Sequence, residues 1–506
     1  MTEPCDFSAV AARRLIGRKA LSPVELLESC LGRIEAVNGV LNAFVALDTA
    51  RARREAKAAE ARVMKGDALG PLHGLPIGIK DLEATQGLRT TWGSRLYKNH
   101  VPAADDPHIS NIRAAGGIIL GKTNTPEFGA GSNTTNAVYG ATGNPFDPDK
   151  TCGGSSGGSA VALATGMVPL ATGTDYGGSI RTPAGFCGVV GFRPSPGVVP
   201  FMTRASGFIP LHVLGPLARS VEDAHLLLKA EASFDKRDPF SSADAARMPD
   251  RLAEADLSTV RAAISADLGC APLDRDIRKV FARKVASFRS AFRAVEDRDP
   301  DLGPVLDVAE VLRGLYCVTE HRERLEKHRD LLGRNVIDGT ERGLKYTSAD
   351  IAWAQVEHTK IYQRFNALFD DVDVLICPAT AVSPFPHARL YIDEINGRKL
   401  PTYMSWYAIA YALSLTVPAI VALPCGRDHL GMPFGLQVVG PNGSDARVLG
   451  IALALERVMA HDPETARPVP DLARLSSPSA RKSEARAQST RKRKPSARRR
   501  AKKPRR

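Results

Sequence analysis

The chain has 506 residues, enough to bury a large core, and this length alone suggests two to three domains. Apolar residues make up 43% of it and charged residues 24%, which is ordinary for a soluble globular protein and excludes global disorder. The net charge of +13 comes from one end of the chain. Residues 481–506 hold fourteen Lys or Arg and one acid, whereas residues 1–480 contain 54 bases and 54 acids.

Signals for membranes, export and metals are absent from the sequence. No apolar run reaches the ~20 residues that a membrane-spanning helix needs, and the N-terminal residues lack the regions of a signal peptide. The eight cysteines stand singly, and neither a C-x-x-C pair nor an H-E-x-x-H motif occurs. These patterns predict a cytoplasmic protein without disulfides, a membrane span or a bound metal.

The first 66 residues are predicted to form a helical layer. Residues 22–25 read Ser-Pro-Val-Glu, a capping box with proline at the first helical position, and apolar residues follow at helical spacing. A second helix is predicted from Asp48, in an alanine-rich stretch that ends at a glycine.

The composition changes at about residue 70. Up to residue 200, glycine, serine and threonine separate short β-branched runs, and this alternation with helical stretches predicts an α/β layered fold. Residues 220–370 are predicted to be mostly helical, 371–380 a strand, and 403–459 helix, strand and a closing helix. We expect one catalytic domain over residues 1–475, with a core at 70–200, and a disordered basic tail at 476–506.

Two glycine-serine runs carry the densest chemistry, at residues 152–160 and 173–183. Glycine is retained in a folded chain where the backbone must approach another group closely or adopt positive φ. The Tyr176–Ser179 turn offers both a nucleophile and backbone N–H donors for an oxyanion, as acyl transfer requires. A flexible linker is the alternative, but two runs separated by a compact segment favour a site.

Lys80 ends an apolar segment that reads as a buried strand. Desolvation lowers the pKa of a buried lysine, and a neutral lysine can act as a general base in a Ser-Lys arrangement. The alternative is a lysine at the end of a strand that reaches solvent or pairs with Asp81.

Four long motifs together resemble the amidase signature family of Ser-Ser-Lys hydrolases. They are GLPIGIKD, GKTNTPEFG, NPFDPDKTCGGSSGGSA and GTDYGGSIRTPAGFCGVVGFRPSPG, all within residues 70–200. LTVPAIVALPCG and MPFGLQVVGP match later strands of the family more loosely. The resemblance implies a three-layer α/β/α fold with a central mixed sheet.

The resemblance also implies a role for each matching residue. Lys80 is the base, Ser155 the bridging serine after a cis peptide bond, and Ser179 the nucleophile, twenty-four positions later. The backbone amides of Tyr176, Gly177, Gly178 and Ser179 form the oxyanion hole. Further residues are expected to line the pocket (Gly129), to bond near the lysine (Ser156) and to shape the loop (Asp175 and Arg181).

The implied function is hydrolysis of a small-molecule amide to a carboxylate and an amine or ammonia, through an acyl-enzyme and without a cofactor. Tyr176 stands where many relatives carry Thr or Ile, and its ring is expected to narrow the acyl pocket. A run of aromatic residues is expected to pack in the core or flank that pocket: Tyr403, Trp406, Tyr407 and Tyr411. The runner-up is the glutaminase A subunit of a tRNA-dependent amidotransferase, and a homodimer is left open.

Three other patterns suggest different functions. Residues 116–123 match a phosphate-binding loop, but their interior reads as a strand. The G-x-S-x-G matches around Ser155 and Ser156 would need a later histidine, such as His358, His387 or His429, for which surface positions are the simpler explanation. The basic residues 481–506 could contact nucleic acid or an acidic surface, but a solvated extension is favoured because charge runs are usually solvated.

Overall fold

The computed structural model of the protein describes residues 3–476. The predicted basic tail therefore lies outside the described residues, apart from Ser476, which ends the last helix. Within residues 3–476, no helix is both long and apolar enough to cross a membrane.

Fourteen α-helices occur in the described chain. In chain order they are α1 (Ala9–Gly17), α2 (Pro23–Leu41), α3 (Thr49–Lys65), α4 (Pro107–Ala114), α5 (Gly157–Ala164), α6 (Arg181–Cys187), α7 (Val221–Glu231), α8 (Arg275–Phe288), α9 (Val305–His328), α10 (Arg334–Gly343), α11 (Ser348–Ala367), α12 (Ala408–Ser414), α13 (Asp445–Ala460) and α14 (Leu472–Ser476).

The same residues contain seventeen strands, several of them only two residues long. They are β1 (Phe44–Leu47), β2 (Pro76–Lys80), β3 (Ile118–Thr123), β4 (Thr135–Asn136), β5 (Gly140–Ala141), β6 (Gly143–Asn144), β7 (Asp147–Thr151), β8 (Leu170–Asp175), β9 (Val190–Arg193), β10 (Val213–Ala218), β11 (Arg261–Ile264), β12 (Ala294–Asp297), β13 (Val374–Pro378), β14 (Glu394–Ile395), β15 (Arg398–Lys399), β16 (Ala419–Arg427) and β17 (Pro433–Gly440).

Eleven of these strands form one central sheet, in the order β1-β3-β2-β8-β10-β9-β16-β17-β13-β11-β12. The sheet is mixed, because β2 runs parallel to both β3 and β8 whereas β16 and β17 are antiparallel. Helices α5 and α6 pack together against it, and so do α7 and α13. The predicted α/β class, with helical layers around a central mixed sheet, is confirmed.

The N-terminal helices begin where their caps were predicted. Ser22 and Glu25 form the reciprocal capping box of α2, and the Asp48 side chain accepts from Arg51 N at the start of α3. The helical layer also contains a strand, since β1 pairs with β3 at the sheet edge. Four residues are too few to interrupt the helical periodicity visibly.

The predicted helical region 220–370 likewise contains two short strands, β11 and β12, which pair in parallel at the far edge of the sheet. β12 is largely exposed, so it lacks the apolar run that marks a buried strand. The prediction for the closing segment is confirmed, because α12, β16, β17 and α13 follow in that order.

The topology brings the two glycine-serine runs to the end of β2. Since β2 and β8 are parallel neighbours, their last residues, Lys80 and Asp175, lie toward the same edge of the sheet. Helix α5 begins just after Ser155 and Ser156, and a short turn that contains Ser179 joins β8 to α6. The sheet therefore gathers the predicted site residues.

Candidate active site

Lys80 is fully buried at the end of β2 and contacts three hydroxyl groups. Its Nζ donates to Ser155 Oγ at 2.7 Å, to Ser156 Oγ at 2.8 Å and to Thr174 Oγ1 at 2.9 Å. The alternative of a solvated lysine, or one paired with the next residue, is wrong. The Asp81 carboxylate instead accepts from the backbone N–H and the hydroxyl of Thr91.

The environment of Lys80 favours its neutral form. Burial lowers its pKa to about 7, although the carboxylates of Glu83 and Asp175 act in the opposite direction. A charged ammonium here would lie among neutral hydroxyls instead of a directly bonded carboxylate. Near neutral pH, therefore, a large fraction of this lysine carries a free lone pair.

Ser155 lies in the loop that leads into α5, and its peptide bond to Gly154 is cis, as the resemblance predicted. Ser132 Oγ donates to the carbonyl oxygen of Gly154 at 2.9 Å and so anchors this loop. Gly129 lies against the same serine, because a Cβ there would come within 3.3 Å of Ser155 Oγ. A side chain at position 129 would therefore crowd the bridging hydroxyl.

Ser179 is held by a turn built around Asp175. The Asp175 carboxylate accepts from the backbone N–H groups of Gly178 and Ile180 and forms ion pairs with Arg181 and Arg193. Burial alone would raise the pKa of Asp175, but the two arginines hold it well below its usual range. The carboxylate thus stays ionised and fixes the turn.

Helix α12 packs so closely against the turn before Ser179 that it leaves little room for side chains at positions 177 and 178. Gly178 has φ of +110°, and a Cβ there would lie 2.5 Å from the Cβ of Ala410. A Cβ on Gly177 would lie 3.1 Å from the Cβ of Tyr411. A side chain at either position would therefore crowd α12, which explains why both residues are glycine.

A narrow crevice of about 20 Å³ opens beside Ser179. The sequence predicted three of its other lining residues, Gly129, Tyr176 and Gly177, but not Arg313 or Met404. Both belong to regions without a motif, α9 and the segment before α12, and no signal in the sequence marks them. Also on the wall are Gly131, Ser132 and Tyr407.

The Tyr176 ring separates this crevice from a larger space. Its ring centroid is 4.7 Å from that of Tyr316 and 6.1 Å from that of His212, and both residues line a second cavity of about 280 Å³. The second cavity also reaches Thr174, which contacts Lys80. A bulky side chain at position 176 thus forms a wall between the two spaces.

The four aromatic residues differ in position, and Tyr411 is buried on α12, where it packs against Gly177. Trp406 is buried between Phe186 and Phe385, so it packs in the core. Tyr407 lines the crevice, and Tyr403 has a buried hydroxyl without a hydrogen-bond partner in the described chain.

The two rival motifs do not form their sites. Residues 118–123 of the phosphate-loop match are buried strand β3, and Lys122 Nζ donates to Thr85 Oγ1 inside the protein. This alternative is wrong. Neither His358, His387 nor His429 lines the crevice beside Ser179, as a Ser-His hydrolase would require.

Comparisons with known proteins agree with this geometry. The sequence profile of the Amidase family matches residues 25–449. An acylamidase from Rhodococcus erythropolis is 31% identical over 456 residues, which cover 89% of this chain and 95% of the relative. The A subunit of glutamyl-tRNA(Gln) amidotransferase from a Synechococcus strain is 33% identical over 468 residues, 87% of this chain and 95% of that protein.

Solved structures show the same fold. A bacterial aryl acylamidase described as an amidase signature enzyme superposes with a TM-score of 0.83 at 28% identity, covering 90% of this chain and 96% of its own. A 6-aminohexanoate cyclic dimer hydrolase gives a TM-score of 0.81 at 25% identity, covering 93% of this chain and all of its own. The chain therefore belongs to the amidase signature family and is a hydrolase that acts on amide bonds.

Proposed function

We propose that the protein hydrolyses a small carboxylic amide through an acyl-enzyme on Ser179. Lys80 is the general base, Ser155 passes the proton, and backbone N–H groups bind the oxyanion. Neutral Lys80 takes the proton of the Ser155 hydroxyl, which takes that of Ser179, and Ser179 Oγ bonds to the amide carbonyl carbon. The proton returns through Ser155 to the leaving nitrogen as the carbon-nitrogen bond breaks. Water then cleaves the acyl-enzyme by the same route.

The observation that carries this proposal is the bond between Lys80 Nζ and Ser155 Oγ at 2.7 Å. It joins a fully buried amine with a pKa of about 7 to the hydroxyl that would relay the proton. Ser156 and Thr174 orient the same amine from other sides. These contacts support a positioning role for Ser156. The bonds of Asp175 and Arg181 within the Ser179 turn support a positioning role for those two residues as well.

The oxyanion donors come from the turn before α6. Because Gly178 N–H already donates to Asp175 at 2.8 Å, we assign the stronger role to the amides of Tyr176, Gly177 and Ser179. The tight packing of Gly177 and Gly178 against α12 supports this assignment, since it holds the turn rigid.

A panel of aliphatic, aryl and glutamine amides tests the proposal. The wild-type chain should release amine or ammonia from at least one class, and Ser179→Ala should abolish that release at unchanged thermal stability. Hydrolysis that survives in Ser179→Ala would refute the assignment of the nucleophile.

A second candidate function is that of the glutaminase A subunit of a tRNA-dependent amidotransferase. Its support is the 33% identity to the Synechococcus protein of that name, over most of both chains. In that case glutaminase activity should appear only with a co-purifying partner, whereas turnover by the lone chain favours the first proposal.

We also propose that residues 1–475 form one catalytic domain. The central sheet supports this proposal, because its strands are drawn from residue 44 to residue 440. Removing residues 476–506 should leave amide turnover unchanged, and a fall in turnover would show that the tail takes part in catalysis.

A further inference from the structure

Arg313 places a positive charge beside Ser179 without an anionic partner. The residue lies in the middle of α9, is 9% exposed, and lines the same crevice as the nucleophile. Within residues 3–476, no carboxylate lies within ion-pair distance of its guanidinium, and its neighbours include the Cys317 thiol and the phenols of Tyr316 and Tyr403. Buried arginines are normally paired, so this arrangement calls for an explanation.

The acids nearest to this guanidinium are bonded elsewhere. Glu310 accepts from Thr402 Oγ1 at 2.7 Å, and Glu320 accepts from Ala205 N at 3.3 Å. Asp175 is shared by two other arginines on the far side of the Ser179 turn. Glu310 and Glu320 feel the charge of Arg313 through space, but neither forms a direct ion pair with it in the described chain.

Two aromatic rings hold the guanidinium in place. Its central carbon lies 5.1 Å from the ring centroid of Tyr176 and 5.0 Å from that of Tyr316. Cation–π contacts of this kind stabilise a desolvated arginine, but they supply no acceptor for its five N–H donors. Burial raises the pKa of the Tyr403 phenol, and the neighbouring Arg313 guanidinium lowers it in part, so this neutral hydroxyl borders the cation without neutralising it.

Unpaired donors on a fixed cation beside a nucleophile form a site for an anion, because buried polar groups are almost always satisfied in a working complex. We propose that Arg313 binds a carboxylate on the acyl part of the substrate, so that the enzyme selects amides that carry a negative charge. The shared lining of Arg313 and Ser179 in one crevice supports this placement. This inference rests on the proposed function, since it assigns charge to the substrate of the same site.

The competing explanation is that Arg313 only packs between the two rings. Packing alone predicts that loss of the guanidinium lowers stability and affects charged and neutral amides alike. Recognition of an anion predicts a loss confined to the charged amide. The ratio of the two activities therefore separates the explanations.

A matched pair of amides tests the inference. Succinamate carries a carboxylate, and butanamide has the same chain length without it. The wild-type kcat/KM for succinamate should exceed that for butanamide by about 100-fold, and Arg313→Gln should remove most of this preference. Arg313→Lys should retain part of it, because it keeps the charge but not the two-pronged geometry. An unchanged ratio in Arg313→Gln, or a wild-type preference for butanamide, would overturn the inference.

The control is Arg324→Gln on the same helix. Arg324 also lies over an aromatic ring, with its central carbon 4.9 Å from the centroid of Phe128, but it lines the other cavity. Its substitution should leave the succinamate-to-butanamide ratio within about 2-fold of the wild-type value. Thermal melting of each variant identifies any that fails to fold.

A binding measurement separates this inference from the proposed chemistry. In the Ser179→Ala background, succinamate should bind measurably by calorimetry, and adding Arg313→Gln should weaken binding by at least about 10-fold. If Ser179→Ala still hydrolyses amides, the proposed nucleophile is wrong, yet this comparison still tests Arg313. If succinamate binds equally with and without Arg313, the anion site is refuted whatever the nucleophile.

Discussion

The backbone N–H of Ser156 donates a hydrogen bond to the carbonyl oxygen of Ser179 at 3.0 Å. This single bond ties the loop of the bridging serine to the turn of the proposed nucleophile. Since Lys80 Nζ bonds to both Ser155 and Ser156, the proposed base, relay and nucleophile belong to one hydrogen-bonded unit. Their relative positions are therefore set before a substrate arrives.

The pH dependence of turnover reports the charge on Lys80. Since burial lowers its pKa to about 7, kcat/KM should rise about tenfold per pH unit below pH 7 and level off above it. The lysine is protonated below that pH and cannot accept a proton. A rate profile that is flat between pH 5 and pH 9, or that falls as pH rises through 7, would contradict this role.

Stability should change with pH in the same direction. The folded lysine has a pKa of about 7, whereas in the unfolded chain it returns to about 10.5, so the unfolded state binds more protons between these values. The free energy of unfolding of the wild type should therefore rise with pH through this window, and it should rise more than that of Lys80→Met does. Urea titrations of both proteins at pH 7 and pH 9 measure the difference, and equal slopes would contradict it.

Ser155 and Ser156 should differ in their effect on rate, although both contact Lys80. Ser155→Ala should lower kcat by about 10³-fold because it removes the proposed proton relay. Ser156→Ala should lower kcat by about 10-fold, since it removes one contact that orients the amine. Steady-state kinetics measures both, and a larger loss in Ser156→Ala would reverse the assignment.

Asp175 should be important for stability as well as for activity. Asp175→Asn leaves the buried charges of Arg181 and Arg193 without a full partner and should cost about 3–5 kcal/mol of unfolding free energy. The control Asp276→Asn breaks an exposed pair with Lys279, which solvent screens, so its loss of stability should be far smaller. Denaturant titration compares them, and equal losses would show that the buried ion pairs add nothing.

Gly178 should tolerate no side chain. In Gly178→Ala the new Cβ would lie 2.5 Å from the Cβ of Ala410, and the alanine would have to adopt a φ of +110°. The turn must therefore shift, and turnover should fall at least about 100-fold. Gly443→Ala is the control, because Gly443 also has positive φ, +80°, but no atom lies within 4 Å of the added Cβ. It should cost about 1 kcal/mol of stability and leave kcat unchanged.

The sequence predicted which motif residues lie together at the end of β2, but it did not predict the outer wall of the crevice. Lys80, Ser155 and Ser179 stand in long glycine-rich stretches, where close backbone approach restricts the residue type. Arg313 lies in a helix with many other charged residues, and only the fold shows that it faces the crevice. Strands β1 and β12 were not predicted, because short strands at the edge of a sheet show little alternation of apolar and polar residues.

Labelling with a fluorophosphonate tests the central claim most directly, since the reagent reacts with an activated serine at neutral pH. Mass spectrometry of the digested wild type should find the adduct on Ser179, and Lys80→Met should label at least about 100-fold more slowly. An unlabelled Ser179, or equal labelling rates in the wild type and Lys80→Met, would contradict the account.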